Sequence, residues 1–232
     1  MPEQETFYRY KIAPLTSRIF VIISDAMRYE VAATLAQELE RDIPSEVQLT
    51  SCQSMFPSIT KFGMAALLPH KELTVAPAGS GLAVLADGQS TEAPNRDAVL
   101  KAANPKSIAL KAADIIAMKR SERSAKVRGM DVVYIYHDTI DAASHTDDKK
   151  VFPACEEAIA ELKNLVRIIV NEFTGTSILL TADHGFLYTM KPLTEDSKAG
   201  SGLQKDQVIE QARRYIITTP APRPSTCCPC AS

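Results

Sequence analysis

The segment RIFVIISDAMRYE, residues 18–30, starts as a nearly continuous apolar run and ends in charged side chains. Its first part, residues 18–24, is rich in β-branched side chains, which predicts a central strand buried on both faces. A helix is predicted to begin at Tyr29 and to end before Pro44, because apolar side chains recur at helical spacing: Val31, Leu35 and Leu39. A buried strand followed by an amphipathic helix is the repeating unit of α/β proteins.

The same alternation continues along most of the chain. Further strands are predicted at residues 47–51, 131–136 and 176–182, and further helices at residues 60–68, 108–123 and 152–173. Residues 70–107 are expected to form short strands and loops that cover the functional site of the domain. A polar loop at residues 194–205 is expected to precede a short helix and a strand at residues 215–218. The predicted fold class is α/β, with three layers in which a mostly parallel sheet carries helices on both faces.

The overall composition excludes several classes of protein. Lys and Arg (26) nearly balance Asp and Glu (28), so the chain has no strong overall attraction for nucleic acid or anionic membranes. No apolar run approaches the roughly 18 residues that a membrane span needs, and the N-terminus lacks the pattern of a secretory signal. These features predict no membrane partner. The five cysteines suggest neither a disulfide framework nor a zinc ribbon, which predicts a reducing, cytoplasmic setting.

Acidic and imidazole side chains follow three of the predicted strands. Asp25 follows the first strand, Asp141 and His145 follow residues 131–136, and Asp183 and His184 follow residues 176–182. In open parallel sheets, ligands gather beyond the carboxyl ends of the strands, so these side chains are expected to converge. Each signal is weak by itself, since a lone aspartate at a strand end is more often a helix N-cap. Their joint occurrence at three strand ends carries the prediction.

Carboxylates brought this close repel each other unless cations compensate them. A mixed set of aspartate and histidine suits zinc, manganese or iron better than calcium or magnesium. Two such ions, roughly 3.5–4 Å apart, can clamp the attacking and leaving oxygens of a displacement at phosphorus. The sequence therefore predicts a divalent metal centre, with zinc as the first choice and manganese as the second.

Thr60 is the candidate nucleophile, because it begins a predicted helix, where free N–H groups stabilise anions. A metal-bound threonine hydroxyl has a lowered pKa and attacks without a dedicated general base. Two alternatives stay open at this point. Thr60 could be a simple N-cap, and Ser54 and Ser58 are competing hydroxyl groups.

The motifs SDAMRYEVA, FPSITKFGMAALLP, YHDTIDAASH and TADHGFLY together resemble the PglZ domain, a member of the alkaline phosphatase superfamily found in BREX phage-defence systems. The resemblance covers residues 18–215 and implies an alkaline phosphatase-like fold. It implies that one metal is held by a first set of residues, with Thr60 as nucleophile: Asp25, Thr60, Asp183 and His184. It further implies that Asp141 and His145 bind a second metal.

The resemblance also implies an activity and a context. The activity is hydrolysis of a phosphoester or nucleotide substrate through a covalent phosphothreonine, as in a phosphatase, a phosphodiesterase or a nuclease. The implied partners are other BREX proteins, such as a DNA methyltransferase. The alternative is a catalytically degenerate scaffold that binds other defence proteins. A nucleotide-binding or oxidoreductase fold is disfavoured, since neither G-x-G-x-x-G nor a P-loop motif is present.

One departure from the superfamily pattern bears on the second metal. Its usual third ligand is a histidine far downstream, yet none of the four histidines follows His184. We therefore expect a fragment of a longer protein, with a weak second site and doubtful activity on its own. The expected organisation is an N-terminal lead-in at residues 1–17, the PglZ domain at residues 18–219 and a disordered tail at residues 220–232. His137 could orient Asp141, touch substrate or act structurally, and Arg28 could meet a phosphate or form a salt bridge.

Overall fold

A computed structural model describes residues 3–79, 81–144, 150–188, 208–212 and 215–218. The strands are β1 (Ile19–Ser24), β2 (Leu73–Ala78), β3 (Gly81–Ala86), β4 (Gln89–Ser90), β5 (Ser107–Lys111), β6 (Val132–His137), β7 (Ile178–Thr181), β8 (Val208–Gln211) and β9 (Ile216–Thr218). The α-helices are α1 (Tyr29–Asp42), α2 (Thr60–Ala66), α3 (Arg96–Ala103), α4 (Ala112–Ala117), α5 (Arg120–Val127), α6 (Thr139–Ser144) and α7 (Val151–Glu172). A short 3-10 helix, Gln4–Thr6, and a π-helical turn, Tyr8–Ile12, precede β1.

The central sheet is parallel and has the strand order β5-β6-β1-β7. The strand β1 lies between β6 and β7, with Ile22 opposite Ile135 on one side and Leu180 on the other. Each residue of β1 is buried, as the continuous apolar run predicts for an interior strand. The register brings the carboxyl ends of the strands to one edge, where Ser24 pairs with His137.

Helices cover both faces of this sheet, so the predicted three-layer α/β fold is confirmed. Alternate side chains of β1 point to opposite faces, because successive residues of a strand do so. One face packs Phe20 and Ile22 against α1 and α7, through side chains such as Leu35 and Leu162. The other face packs Val21 and Ile23 against α2 and α3, through Met64, Val99 and Leu100. The buried core is largely aliphatic, in keeping with the absence of tryptophan.

The predicted helices at 29–43, 60–68 and 152–173 and the strands at 18–24, 131–136 and 176–182 are confirmed within a few residues. Three predictions are wrong. Residues 47–51 form no strand and are mostly exposed, residues 107–111 form β5 before the helix expected from 108, and residues 208–211 form β8 where a short helix was expected. The loop predicted at 194–205 and the tail at 220–232 lie outside the described residues.

The chain divides into two compact units. The larger, Met1–Val75 and Ala83–Tyr188, contains the central sheet, and its buried interior includes Ile12 from the π-helical turn. The smaller comprises Ala76–Leu82 and Thr189–Ser232. It includes the antiparallel pair of β8 and β9, and Glu210 accepts a 2.7 Å hydrogen bond from the Leu82 N–H. Within the described ranges, none of the helices is both long and apolar enough to cross a lipid bilayer.

Candidate metal centre

The candidate residues lie at the carboxyl edge of the central sheet. Asp25 follows β1 directly, and its backbone N–H donates a 2.7 Å hydrogen bond to the carbonyl of His137 at the end of β6. Asp183 follows β7, which flanks β1 on its other side. Because these strands are parallel, residues that follow them meet at the same edge even when they are distant in sequence. The strand order therefore brings these two carboxylates together.

Asp25, Asp183 and His184 form a compact, buried cluster of potential metal ligands. One carboxylate oxygen from each aspartate and one ring nitrogen of the histidine all lie within 4.8 Å of one another. His184 Nε2 is 3.3 Å from Asp25 Oδ1 and 3.6 Å from Asp183 Oδ2. The exposed fractions of these residues are 7%, 0% and 6% in chain order, so bulk water does little to solvate their charges.

Within the described residues, one oxygen of each carboxylate lacks the hydrogen-bond partner that burial normally demands. Asp25 Oδ1 and Asp183 Oδ2 are buried without a hydrogen-bond partner within the described part of the chain. Burial raises the pKa of Asp25, and the charges of Asp183 and Asp141 raise it further. Burial also raises the pKa of Asp183, although the N–H groups of His184 and Ala26 favour its ionised form. A divalent cation would supply the missing partner and remove the repulsion, so this donor set fits a metal ion.

The imidazole of His184 presents its Nε2 atom to this cluster. Its Nδ1 lies 3.1 Å from the carbonyl of Gly185, within hydrogen-bond distance. Its Nε2 is the atom that approaches both carboxylates. Metal-binding histidines commonly donate their other ring N–H to a carbonyl or carboxylate in this way. The position of Nε2 makes His184 a candidate ligand beside the two carboxylates.

Thr60 joins the cluster through its hydroxyl group. It is the first residue of α2, and its Oγ1 lies 2.9 Å from His184 Nε2. The alternative role as an N-cap is wrong, because Ile59 occupies the cap position and α2 has no side-chain capping bond. The competing hydroxyl groups of Ser54 and Ser58 are 3.1 Å apart and pair with each other. Of the three candidate hydroxyl groups, the structure brings Thr60 to the cluster.

Gly63 explains how α2 comes so close to the strand end. A Cβ atom at this position would lie 2.3 Å from the carbonyl oxygen of Asp183 and 2.7 Å from its carbonyl carbon. Only a residue without a side chain permits this contact between helix and main chain. The sequence carried a signal that was not used, since a glycine inside a helix is unfavourable and often marks a close backbone approach. Gly63 thus permits the close approach of α2, which begins at Thr60, to the main chain of Asp183.

The residues predicted for the second metal are only partly within the described structure. Asp141 lies in the first turn of α6, directly after β6, and its charge contributes to the raised pKa of Asp25. His145 lies outside the described residues. The structure therefore brings Asp141 into the electrostatic range of Asp25, and the second metal site stays a prediction.

His137 supports the site from the interior. Its Nδ1 lies 3.0 Å from Ser24 Oγ and its Nε2 lies 2.8 Å from Glu161 Oε2, so both ring nitrogens are engaged. Glu161 also accepts a 2.5 Å hydrogen bond from Thr139, at the start of α6. Of the roles left open by the sequence, the structure shows the structural one. Nothing in the sequence singled out Glu161, because a polar residue on a long amphipathic helix is expected to face solvent.

Arg28 makes contacts that favour one of its two predicted roles. Its Nε lies 2.5 Å from Glu30 Oε1, and its guanidinium carbon lies 5.1 Å from the centre of the Phe186 ring. A Cβ at Gly185 would lie 3.0 Å from Arg28 Cγ, so the arginine stem also packs on the loop after Asp183. The structure shows the salt bridge, together with a cation–π contact.

Comparison with known proteins agrees with this geometry. The chain matches the family described as the BREX system PglZ alkaline phosphatase-like domain over residues 7–231. It is 40% identical over 235 residues to the alkaline phosphatase-like protein BrxZ of Escherichia coli O9:H4 (strain HS), covering 98% of this chain and 27% of that protein. It is 33% identical over 224 residues to the alkaline phosphatase-like protein PglZ of Bacillus cereus (strain H3081.97), covering 94% of this chain and 26% of that protein.

The chain thus spans about a quarter of the length of these curated relatives. The family match nevertheless includes the whole central sheet and the strand ends that carry the aspartates. The expected family and the α/β fold are therefore both confirmed. This chain belongs to the PglZ family of BREX alkaline phosphatase-like domains.

Proposed function

We propose that this chain carries the catalytic centre of a metal-dependent phosphoester hydrolase, acting as a phosphatase, phosphodiesterase or nuclease, with Thr60 as the nucleophile. One observation supports the proposal above all. The Thr60 hydroxyl lies 2.9 Å from His184 Nε2, beside two buried carboxylates that each have an oxygen without a hydrogen-bond partner in the described chain. Metal-assisted displacement requires a nucleophile next to acidic groups that can bind the metal ion, and these two buried carboxylates need a compensating positive charge.

In this proposal, the first divalent ion, zinc or else manganese, is held by Asp25, Thr60, Asp183 and His184, and the second by Asp141 and His145. When bound, such ions supply positive charge that neutralises the carboxylates and lowers the pKa of the attacking hydroxyl. The protein has already separated these carboxylates from water, as their burial shows. Burial raises the pKa of both Asp25 and Asp183, so their ionised forms are unfavourable unless a positive charge compensates them.

The protein's own groups divide the work of the reaction. Thr60 Oγ attacks phosphorus and loses its proton, the phosphorus–oxygen ester bond breaks, and the released alcohol takes up a proton. Water then attacks the phosphothreonine, which frees Thr60 and inorganic phosphate from a monoester. His184 holds the hydroxyl of Thr60 at the strand ends, and Gly63 keeps α2 close enough for that contact. Holding the nucleophile in place before attack is a large part of such catalysis.

The test is hydrolysis of an aryl phosphate monoester and an aryl phosphodiester by the whole protein that contains this chain, loaded with Zn²⁺ or Mn²⁺. We expect Thr60→Ala to lower turnover by about three orders of magnitude or more, because the nucleophile is removed. Thr60→Ser keeps a hydroxyl group and is expected to retain measurable turnover. The matched control is Thr34→Ala, since Thr34 is an exposed threonine in α1 whose hydroxyl bonds only to the carbonyl of Glu30 among the contacts described.

A second measurement identifies the chemistry independently of turnover. Mass spectrometry of protein quenched in acid during hydrolysis is expected to find phosphate on the peptide that contains Thr60. Full turnover in Thr60→Ala, or a chain that hydrolyses neither ester and binds no ion, would contradict the proposal. A chain that binds metal and other BREX proteins but never becomes phosphorylated would instead support the scaffold role.

The cellular setting is part of the proposal, because the chain covers about a quarter of its curated relatives. We propose that the whole protein acts in the cytoplasm in phage defence, beside other BREX proteins such as a DNA methyltransferase. The supporting observation is the BREX description of the family. Co-purification of tagged whole protein with its BREX partners, compared with an Asp183→Ala variant, would test whether assembly depends on the metal centre.

A further inference from the structure

Gln4 is a buried polar side chain, 2% exposed, far in sequence from the groups it contacts. Its Nε2 donates to the carbonyls of Ala182 (2.9 Å) and Asp183 (2.7 Å). Its Oε1 accepts a 2.9 Å hydrogen bond from the Met55 N–H. Two of these partners can only accept and the third can only donate, so the network fixes the orientation of the amide. One side chain thereby satisfies three main-chain groups outside the regular strands and helices.

The segments that Gln4 joins both belong to the candidate metal centre. Asp183 supplies a carboxylate, and Met55 lies in the segment that leads to Thr60. The backbone N–H of Gln4 adds a 2.9 Å hydrogen bond to the carbonyl of Gln53, in the same segment. Gln4 is therefore tied to the nucleophile segment through its backbone and its side chain, and to the strand end through its side chain alone.

The carbonyl of Asp183 is enclosed from two directions. The Gln4 amide approaches it at 2.7 Å, and Gly63 of α2 lies so close that a Cβ would be 2.3 Å away. Removing the amide leaves a carbonyl without its donor in a space where water does not replace it easily. An unsatisfied buried carbonyl is unfavourable, so the strand end is expected to shift.

We infer that Gln4 is a positioning residue for the candidate metal centre, because its amide holds the strand end of Asp183 against the segment of Thr60. The contact is a property of the fold, and its consequence for metal binding rests on the proposed function. The inference assigns a role to the N-terminal stretch, which the sequence predicted only as a lead-in. Residues that orient metal ligands through the main chain commonly change metal affinity when they are replaced.

Two substitutions separate the two halves of this contact. Gln4→Glu keeps an oxygen that can accept from Met55 but places the other oxygen against two carbonyls. Gln4→Met keeps the length of the side chain and removes all three hydrogen bonds. We expect both to weaken Zn²⁺ binding by about 10-fold or more in calorimetric titration of the folded chain. We expect only Gln4→Met to speed amide hydrogen exchange at Met55, by up to about tenfold.

Two control variants distinguish positioning from general loss of stability. Gln53→Glu makes the same chemical change on an exposed glutamine of the segment that leads to Thr60, and it is expected to leave Zn²⁺ affinity unchanged. Arg18→Met removes another side chain that donates to two carbonyls, those of Met130 (2.9 Å) and Phe173 (3.2 Å), before the start of β1. That contact lies at the opposite edge of the sheet from the metal centre. Arg18→Met is therefore expected to lower the unfolding midpoint and to leave Zn²⁺ affinity unchanged.

The outcomes separate this inference from the proposed function. If Gln4→Met binds Zn²⁺ as tightly as Arg18→Met does, Gln4 is structural and the inference is overturned. If the wild-type chain binds no Zn²⁺, the proposed function fails. Amide hydrogen exchange then tests whether Gln4 holds the strand end against the segment of Thr60. Faster exchange over residues 53–60 and 182–186 in Gln4→Met would then support it, and unchanged exchange would overturn it. Should Gln4→Met fail to fold, Gln4→Asn, with an amide one methylene shorter, is judged by the same criteria.

Discussion

Gly63→Ala adds one methyl group at the point where α2 touches the main chain of Asp183. On the present backbone the new Cβ would lie 2.3 Å from the carbonyl oxygen, whereas ordinary van der Waals contact begins at 3.4 Å. The helix and the strand end must therefore separate by about 1 Å. The obstacle is backbone, so no side-chain rotation relieves it, and any shift of the carbonyl also disturbs its 2.7 Å hydrogen bond from Gln4.

Two opposite contributions set the stability of this variant. Alanine is favoured over glycine inside a helix by up to about 1 kcal/mol. Overpacking a close contact is unfavourable by about 1–3 kcal/mol. We expect a net loss of about 1–2 kcal/mol in the free energy of unfolding, since α2 is short and the contact is severe. The displacement of Thr60 from Asp183 is expected to lower hydrolysis by about 10²-fold in the metal-loaded whole protein.

The assay is urea unfolding of the metal-free chain, followed by Zn²⁺ titration and ester hydrolysis. Gly175→Ala is the matched control, because its Cβ would lie 2.4 Å from Ile169 Cγ2 and 2.7 Å from a ring carbon of Phe20. Gly175 precedes β7 and so lies at the amino ends of the strands, away from the metal centre at their carboxyl ends. Stability should therefore fall in Gly175→Ala while Zn²⁺ affinity persists. A Gly63→Ala variant that is at least as stable as wild type and binds Zn²⁺ equally well would show that this close contact does not hold the metal centre together.

Three further substitutions test the electrostatics and the packing. Asp25→Asn is expected to abolish tight Zn²⁺ binding and to stabilise the metal-free chain at pH 7, because burial raises the folded-state pKa of Asp25. This gain in stability should vanish as the pH falls to about 4, where the carboxyl is protonated in both states, and urea unfolding in EDTA would show it. Asp42→Asn is expected to lower stability at pH 7, because a hydrogen bond from Lys163 lowers the pKa of Asp42 to about 2. The stability that Asp42 contributes is present above its unfolded-state pKa and disappears as the pH falls towards 2. Equal stability of variant and wild type at pH 7 would contradict this. Tyr134→Phe leaves the Leu67 carbonyl without its 2.8 Å buried hydrogen bond and should lower the free energy of unfolding by about 1–3 kcal/mol, measured by thermal unfolding.

Local pattern was sufficient for the elements at the centre of the fold. The strand at residues 18–24 is a continuous apolar run because β1 is buried on both faces, and the helix at residues 152–173 shows a clear apolar stripe because only one side of α7 is buried. Both patterns are properties of consecutive residues. They are therefore readable without knowing what each element packs against.

The errors fall where pairing overrides pattern. Residues 47–51 have apolar and β-branched side chains, yet they remain mostly exposed and find no partner strand. Residues 107–111 run into a helical pattern, yet they form β5 at the edge of the sheet because β6 offers its free side. A strand exists only when a neighbour supplies hydrogen bonds, so its propensity is strongly dependent on context.

The sequence by itself determined which side chains follow the strands, and therefore that Asp25, Asp183 and His184 would meet at one edge of a parallel sheet. It could not determine that the Thr60 hydroxyl would lie 2.9 Å from the imidazole, or that Gln4 and Gly63 would enclose the same carbonyl. Those contacts join segments separated by more than a hundred residues, and their distances depend on how helix and strand pack in three dimensions. Periodicity along a chain specifies which face a residue occupies, whereas the separation between two faces is set only by the atoms packed between them.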